Sequence, residues 1–127
     1  MHITDIIGES KPTISFEFFP PKTEQSSQAL FQCIKELEEL KPSFVSITYG
    51  AGGSTRELTH ELVLRIKDST SLTPVPHLTC VNHTEEEIFS ILEKYAKYEI
   101  SNVLALRGDP PTGDAPHDRS LDAFQYA

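Results

Sequence analysis

Apolar positions along the chain run at two alternating periods. In "TISFEFFPP" (13–21) Ser15 and Glu17 alternate with β-branched and aromatic residues, and the run stops at Pro20 and Pro21. That is the pattern of a strand. The signature recurs in "FVSITYG" (44–50), "TPVPHLTC" (73–80) and "NVLALRG" (102–108); two prolines make the third the least regular. Between the strands the period lengthens. Residues 24–40 place Ala29, Leu30, Cys33, Ile34, Leu37 and Leu40 on one stripe. Residues 55–68 do so with Leu58, Leu62, Val63 and Ile66, and residues 85–98 with Ile88, Ile91, Leu92, Tyr95 and Ala96. Spacings of three and four put each set on one helix face. Ser54 with Glu57, and Thr84 with Glu87, have capping-box spacing and mark two helix starts.

Strand starts fall about 30 residues apart, which makes the chain a run of repeated strand–helix units. Such units pair their strands in parallel and define an α/β fold. Two architectures suit them: a doubly wound open sheet, or a (β/α)₈ TIM barrel, which needs about 250 residues. The 127 residues hold three such units and a fourth strand, and end at "LDAFQYA", where a fourth helix should begin. As a barrel, this is half of one.

Alternation along each strand sorts residues by face. Ile14, Phe16 and Phe18 oppose Ser15 and Glu17; Val45 and Ile47 oppose Ser46 and Thr48; Leu104 and Leu106 oppose Val103, Ala105 and Arg107. The bulky sets are expected against helices and the smaller, more polar sets inside a barrel. A polar group then sits at or just past each strand's C-terminal end: Glu17, Thr48, His77, and Arg107 with Asp109. In α/β barrels active sites form at that end. Each residue also has a plainer role. Glu17 could face water, Thr48 is a good strand former, His77 suits a satisfied core histidine, and Arg107 could pair with Asp109. "YGAGGS" (49–54) fits neither common phosphate-loop pattern and reads as a strand-to-helix turn. The loop "DPPTGDAPHDRS" (109–120) is long enough, and well enough placed, to carry function.

Composition narrows the choices. A formal net charge of −8 argues against sequence-independent nucleic-acid binding. No apolar run is long enough to span a membrane. The start "MHITDIIGES" lacks the parts of a signal peptide, so a cytoplasmic protein is expected. Cys33 and Cys80 have no metal-ligand spacing, and no metal site is expected; they read as reduced, partly buried thiols.

The strings "SFEFFPPKT", "FVSITYGAGGSTRELTH", "PHLTC" and "LALRGDPP", in this order, resemble the methylenetetrahydrofolate reductase family, in its bacterial single-barrel form. The resemblance implies a (β/α)₈ barrel holding FAD at the C-terminal ends of its strands. NADH or NADPH reduces the flavin, and 5,10-methylenetetrahydrofolate becomes 5-methyltetrahydrofolate. It makes Glu17 the general acid and sets Asp109 near flavin and pterin. It assigns Thr48, Tyr49, Ala51, His77, Arg107, Gly108, Asp109, Tyr126 and Ala127 to the FAD site. Apolar neighbours in a shielded cavity would raise a glutamate's pKa, which suits a general acid; the phenylalanines around Glu17 agree with that.

On this reading residues 1–127 are the N-terminal part of one barrel domain. The isolated chain is expected to be inactive, for want of strands five to eight. A second reading is a non-catalytic half barrel that self-associates as a homo-oligomer or binds flavin weakly.

Overall fold

Four short strands lie side by side in the order in which the chain makes them. The computed structural model describes residues 2–8, 12–50, 55–81 and 83–108. Within them run α1 (Ile3–Gly8), β1 (Ser15–Phe18), α2 (Glu24–Glu38), β2 (Phe44–Ile47), α3 (Arg56–Ser69), β3 (Pro74–Thr79), α4 (Glu85–Lys97) and β4 (Leu104–Leu106). The sheet order is β1-β2-β3-β4, and every pairing is parallel. A doubly wound sheet would reverse direction at a switch point. These strands never reverse, as in half of a (β/α)₈ barrel.

The register names the two faces. Glu17 pairs with Ser46, Ser46 with Val75, His77 with Leu104 and Thr79 with Leu106. Partners in a parallel pair point the same way, so these residues share the inner face. On the other face Phe18, Val45, Ile47 and Leu78 join one apolar cluster with Phe31 and Ile34 of α2, Leu62, Val63 and Ile66 of α3, and Ile88, Ile91 and Tyr95 of α4. Val75 is buried yet lies outside that cluster, as an inner-face residue should.

Two expectations change here. Leu104 and Leu106 face inward, and Val103 packs on the helix side. Bulk misleads at this strand because barrel interiors also take branched apolar residues. Cys33 is exposed, because the buried stripe of α2 centres on Phe31 and Ile34; Cys80 is buried. Leu40 lies past the end of α2 and is exposed as well.

The prolines of β3 do not stop it. Pairing with β4 begins only at His77, so Pro74 and Pro76 lie where β2 is the paired neighbour, and a missing N–H is tolerated there. Thr84 and Glu87 form the expected capping box. Thr23 and Ser26 form another at α2. Ser54 lies outside the described residues. The N-cap of α3 is Thr55, one residue later than expected, and its side chain caps no helix N–H. Its hydroxyl instead accepts from the Gly50 N–H at 2.6 Å. No described helix is long and apolar enough to cross a membrane.

Candidate functional site

Glu17 ends the inner column of β1, and His77 lies late in β3. The parallel register brings them together over β2. His77 Nε2 lies 3.4 Å from Glu17 Oε2, and Ser46 Oγ, between them, donates to the same oxygen at 3.3 Å. Burial holds the His77 pKa below the usual imidazole value, against the pull of the Glu17 carboxylate. The ring is therefore neutral at pH 7, and the pair is a polar contact rather than a full salt bridge. His77 Nε2 is buried and makes no well-formed hydrogen bond. The Glu17 side chain is 51% exposed, so a ligand can reach it. Its phenylalanine neighbours do not enclose it. Phe16 and Phe18 point to the helix side, and Phe19 is exposed.

Thr48 follows β2 in phase with Ser46. Its N–H donates to the Phe18 carbonyl at 2.9 Å, and its carbonyl accepts from Thr59 Oγ1 at 3.0 Å. The backbone that carries its hydroxyl is thus held from both sides.

Tyr49, the next residue, turns the other way. Its ring is buried in the outer cluster with Val45 and Ile47. Its hydroxyl meets His83 Nε2 at 2.8 Å, and burial pushes its pKa up to about 12. Any contact from Tyr49 to an inner-face ligand falls to its backbone.

Arg107 lies just beyond β4, exposed and in phase with Ala105 rather than Leu106. Gly108 has φ +83°, and a Cβ there would meet Val81 Cγ2 at 2.6 Å. Only glycine combines that backbone with that approach. Ala51, Asp109, Tyr126 and Ala127 lie outside the described residues.

Two histidines escaped the sequence reading. His60, on α3, is buried with Nδ1 2.6 Å from the Tyr95 hydroxyl. His83, just before α4, is buried against Tyr49, with Nδ1 3.6 Å from Glu87 Oε2. Burial lowers both pKa values, that of His60 to about 4. For His83 burial outweighs the Glu87 carboxylate, so the ring is neutral. A proton on Nδ1, facing the carboxylate, leaves Nε2 to accept from the Tyr49 hydroxyl. The period-two count from Val45 to Tyr49 was the available clue to this arrangement. Among the described residues, no group of three or more His, Cys, Asp or Glu side chains could hold a metal ion.

Comparison with known proteins gives a consistent result. The family described as methylenetetrahydrofolate reductase matches residues 2–127. The 5,10-methylenetetrahydrofolate reductase of Escherichia coli (strain K12) is 47% identical over 100 residues, covering 79% of this chain and 34% of that protein. That of Pectobacterium carotovorum is 42% identical over 115 residues, covering 90% and 39%. Methylenetetrahydrofolate reductase (NADH) 1 of Zea mays is 44% identical over 111 residues, covering 87% and 19%. The matched part of the chain thus spans little more than a third of these bacterial relatives.

Proposed function

Because this chain belongs to the methylenetetrahydrofolate reductase family, we propose that it serves the reduction of 5,10-methylenetetrahydrofolate to 5-methyltetrahydrofolate, with FAD at the C-terminal ends of the strands and NADH or NADPH as electron donor. The observation that carries this reading is the meeting of Glu17 and His77 at 3.4 Å on the inner face, from two strands that are not neighbours.

The residues at this end suit a flavin in kind. His77 Nε2 is a buried nitrogen without a hydrogen-bond partner among the described residues. Thr48 brings a hydroxyl, and the guanidinium of Arg107 has the chemistry to meet a phosphate or an anionic ring edge. Gly108 lets the backbone pass close to the neighbouring turn. Bound FAD would supply the hydride. Ala51, Asp109, Tyr126 and Ala127 belong to the same proposal.

Glu17 Oε2 is the atom assigned to proton transfer. It is reachable from the inner face, and Ser46 orients it. As general acid it gives its proton to the substrate nitrogen that leaves as the five-membered ring opens. Neutral His77, beside that oxygen, adds no second positive charge to compete with the cation that forms. Glu17→Gln keeps the shape and removes the transferable proton, so folate reduction should fall by roughly 10²–10⁴-fold. Reduction of the flavin by the nicotinamide should change little. Full folate reduction with an unchanged pH profile would remove Glu17 from the role.

A further inference from the structure

We propose that Tyr49, His83, Arg56 and Glu87 form a brace on the outer side of the rim, which positions the inner-face residues Thr48 and His77. The inference rests on reading that face as the flavin and folate site.

Two links make the brace, and both run between neighbouring strand-to-helix turns. The Tyr49 hydroxyl, just past β2, bonds His83 Nε2, just before α4, at 2.8 Å. Arg56, the first residue of α3, approaches Glu87 in the first turn of α4, with Nη1 3.5 Å from Oε1. Glu87 is itself held, because its Oε2 accepts from the Thr84 N–H at 2.9 Å. None of the four side chains belongs to the inner face. Tyr49 is adjacent in sequence to one that does, and the other three connect to that face through the elements that carry them. Tyr49 follows Thr48 directly. The Thr48 carbonyl is held by Thr59, one turn along from Arg56. His83 follows β3, the strand that carries His77.

Filling space does not require this chemistry. Two apolar side chains would occupy the position without desolvating a hydroxyl and an imidazole, whose burial is offset by their mutual bond and by the nearby Glu87 carboxylate. What the polar pair adds is direction. A hydrogen bond fixes the distance and angle between two turns, which apolar packing leaves freer. The phase of Tyr49 is also tied to that of Thr48. With the Tyr49 ring anchored outward, alternation keeps the Thr48 side chain inward.

The test uses the protein expressed from its own gene. Tyr49→Phe and His83→Phe each remove one end of the main link, and His83→Gln keeps an acceptor. Tyr95→Phe is the control, since it removes the hydroxyl of the other buried histidine–tyrosine pair. Two quantities are read well below every unfolding midpoint. One is exchange of the Gly50 amide, which bonds Thr55 Oγ1, relative to the Val45 amide, which bonds the Thr73 carbonyl. The other is the dissociation constant for FAD from quenching of flavin fluorescence.

Loss of one buried hydrogen bond sets the expected scale at about tenfold. Gly50 exchange should quicken by about that factor in both phenylalanine variants, and FAD should bind more weakly by a similar factor. The double variant should lose no more than either single one. His83→Gln should recover most of the loss, and Tyr95→Phe should change neither quantity. Unchanged exchange and FAD affinity in both variants would overturn the brace. So would equal effects in Tyr95→Phe, which would mark general loosening. If the parent protein fails to bind FAD, the flavin reading falls by itself, and faster or unchanged Gly50 exchange then supports or overturns the brace.

Discussion

Among the described residues, two buried histidine–tyrosine pairs have nearly equal geometry and differ in what they join. His60 and Tyr95 lie 2.6 Å apart and tie the middle of α3 to α4. Tyr49 and His83 lie 2.8 Å apart and tie the exit of β2 to the entry of α4. Both ring pairs meet edge-to-face. The first is sunk in the helix layer, with the Tyr95 hydroxyl pKa pushed up by burial. The second stands at the rim, with charged Arg56 and Glu87 beside it. The same chemistry serves cohesion in one place and alignment in the other.

Acid should separate the pairs most strongly. The His60 pKa is about 4 in the folded chain, and its causes are burial first, then Lys94, Arg56 and His83 opposing the charge and Glu57 favouring it. An unfolded histidine titrates near 6.5, so as pH falls through about 6.5 the unfolded state takes up the proton first. Stability is therefore complete above that value and is lost progressively down to about pH 4, by roughly 3 kcal/mol from this group alone. His77 and His83 are lowered in the same direction and add to the slope. Urea midpoints between pH 7 and 4.5 would measure it, and His60→Phe should flatten the curve. An unchanged slope in that variant would mean that His60 is not the main acid-sensitive group.

Tyr95→Phe comes next. It leaves His60 Nδ1 buried and unpaired, at a cost of about 1–3 kcal/mol, visible as a lower thermal midpoint. Glu87→Gln should be the smallest change. It weakens the partly exposed pair with Arg56 but retains a capping-box residue, so the thermal midpoint should fall less than in Tyr95→Phe. A loss as large as that of Tyr95→Phe would mean that the rim bears more of the fold's cohesion than its geometry suggests.

The four strands and the three longer helices were legible because each announces itself locally; α1, six residues with no buried side chain, has no apolar stripe to announce it. The stripe Ile88, Ile91, Tyr95 and the box Thr84–Glu87 place α4 to within a residue or so. That Glu17 and His77 lie at the same end of the sheet was legible from the strand ends; that they meet over β2 was not, because it depends on the register of three strands. Three more things were hidden. The facing of β4 depends on its register with β3, which no local pattern encodes. His60 and Thr59 lie on the buried side of α3, yet they read as polar and were counted outside its stripe. Tyr49 was assigned to the flavin site by its place in a motif. Its ring goes the other way because period two links it to Val45 and Ile47. A motif names a residue and leaves open whether its side chain or its backbone is used.

The uninterrupted strand order also bears on how the protein forms. Each strand's partner is the next one made, about 30 residues later. Closing a loop of that size carries a modest entropic cost, and none of the pairings among the described strands has to wait for a distant segment. A growing chain can therefore add one strand–helix unit at a time, each new strand docking on the edge left by the last. The line of strands across the sheet is also a timetable for synthesis.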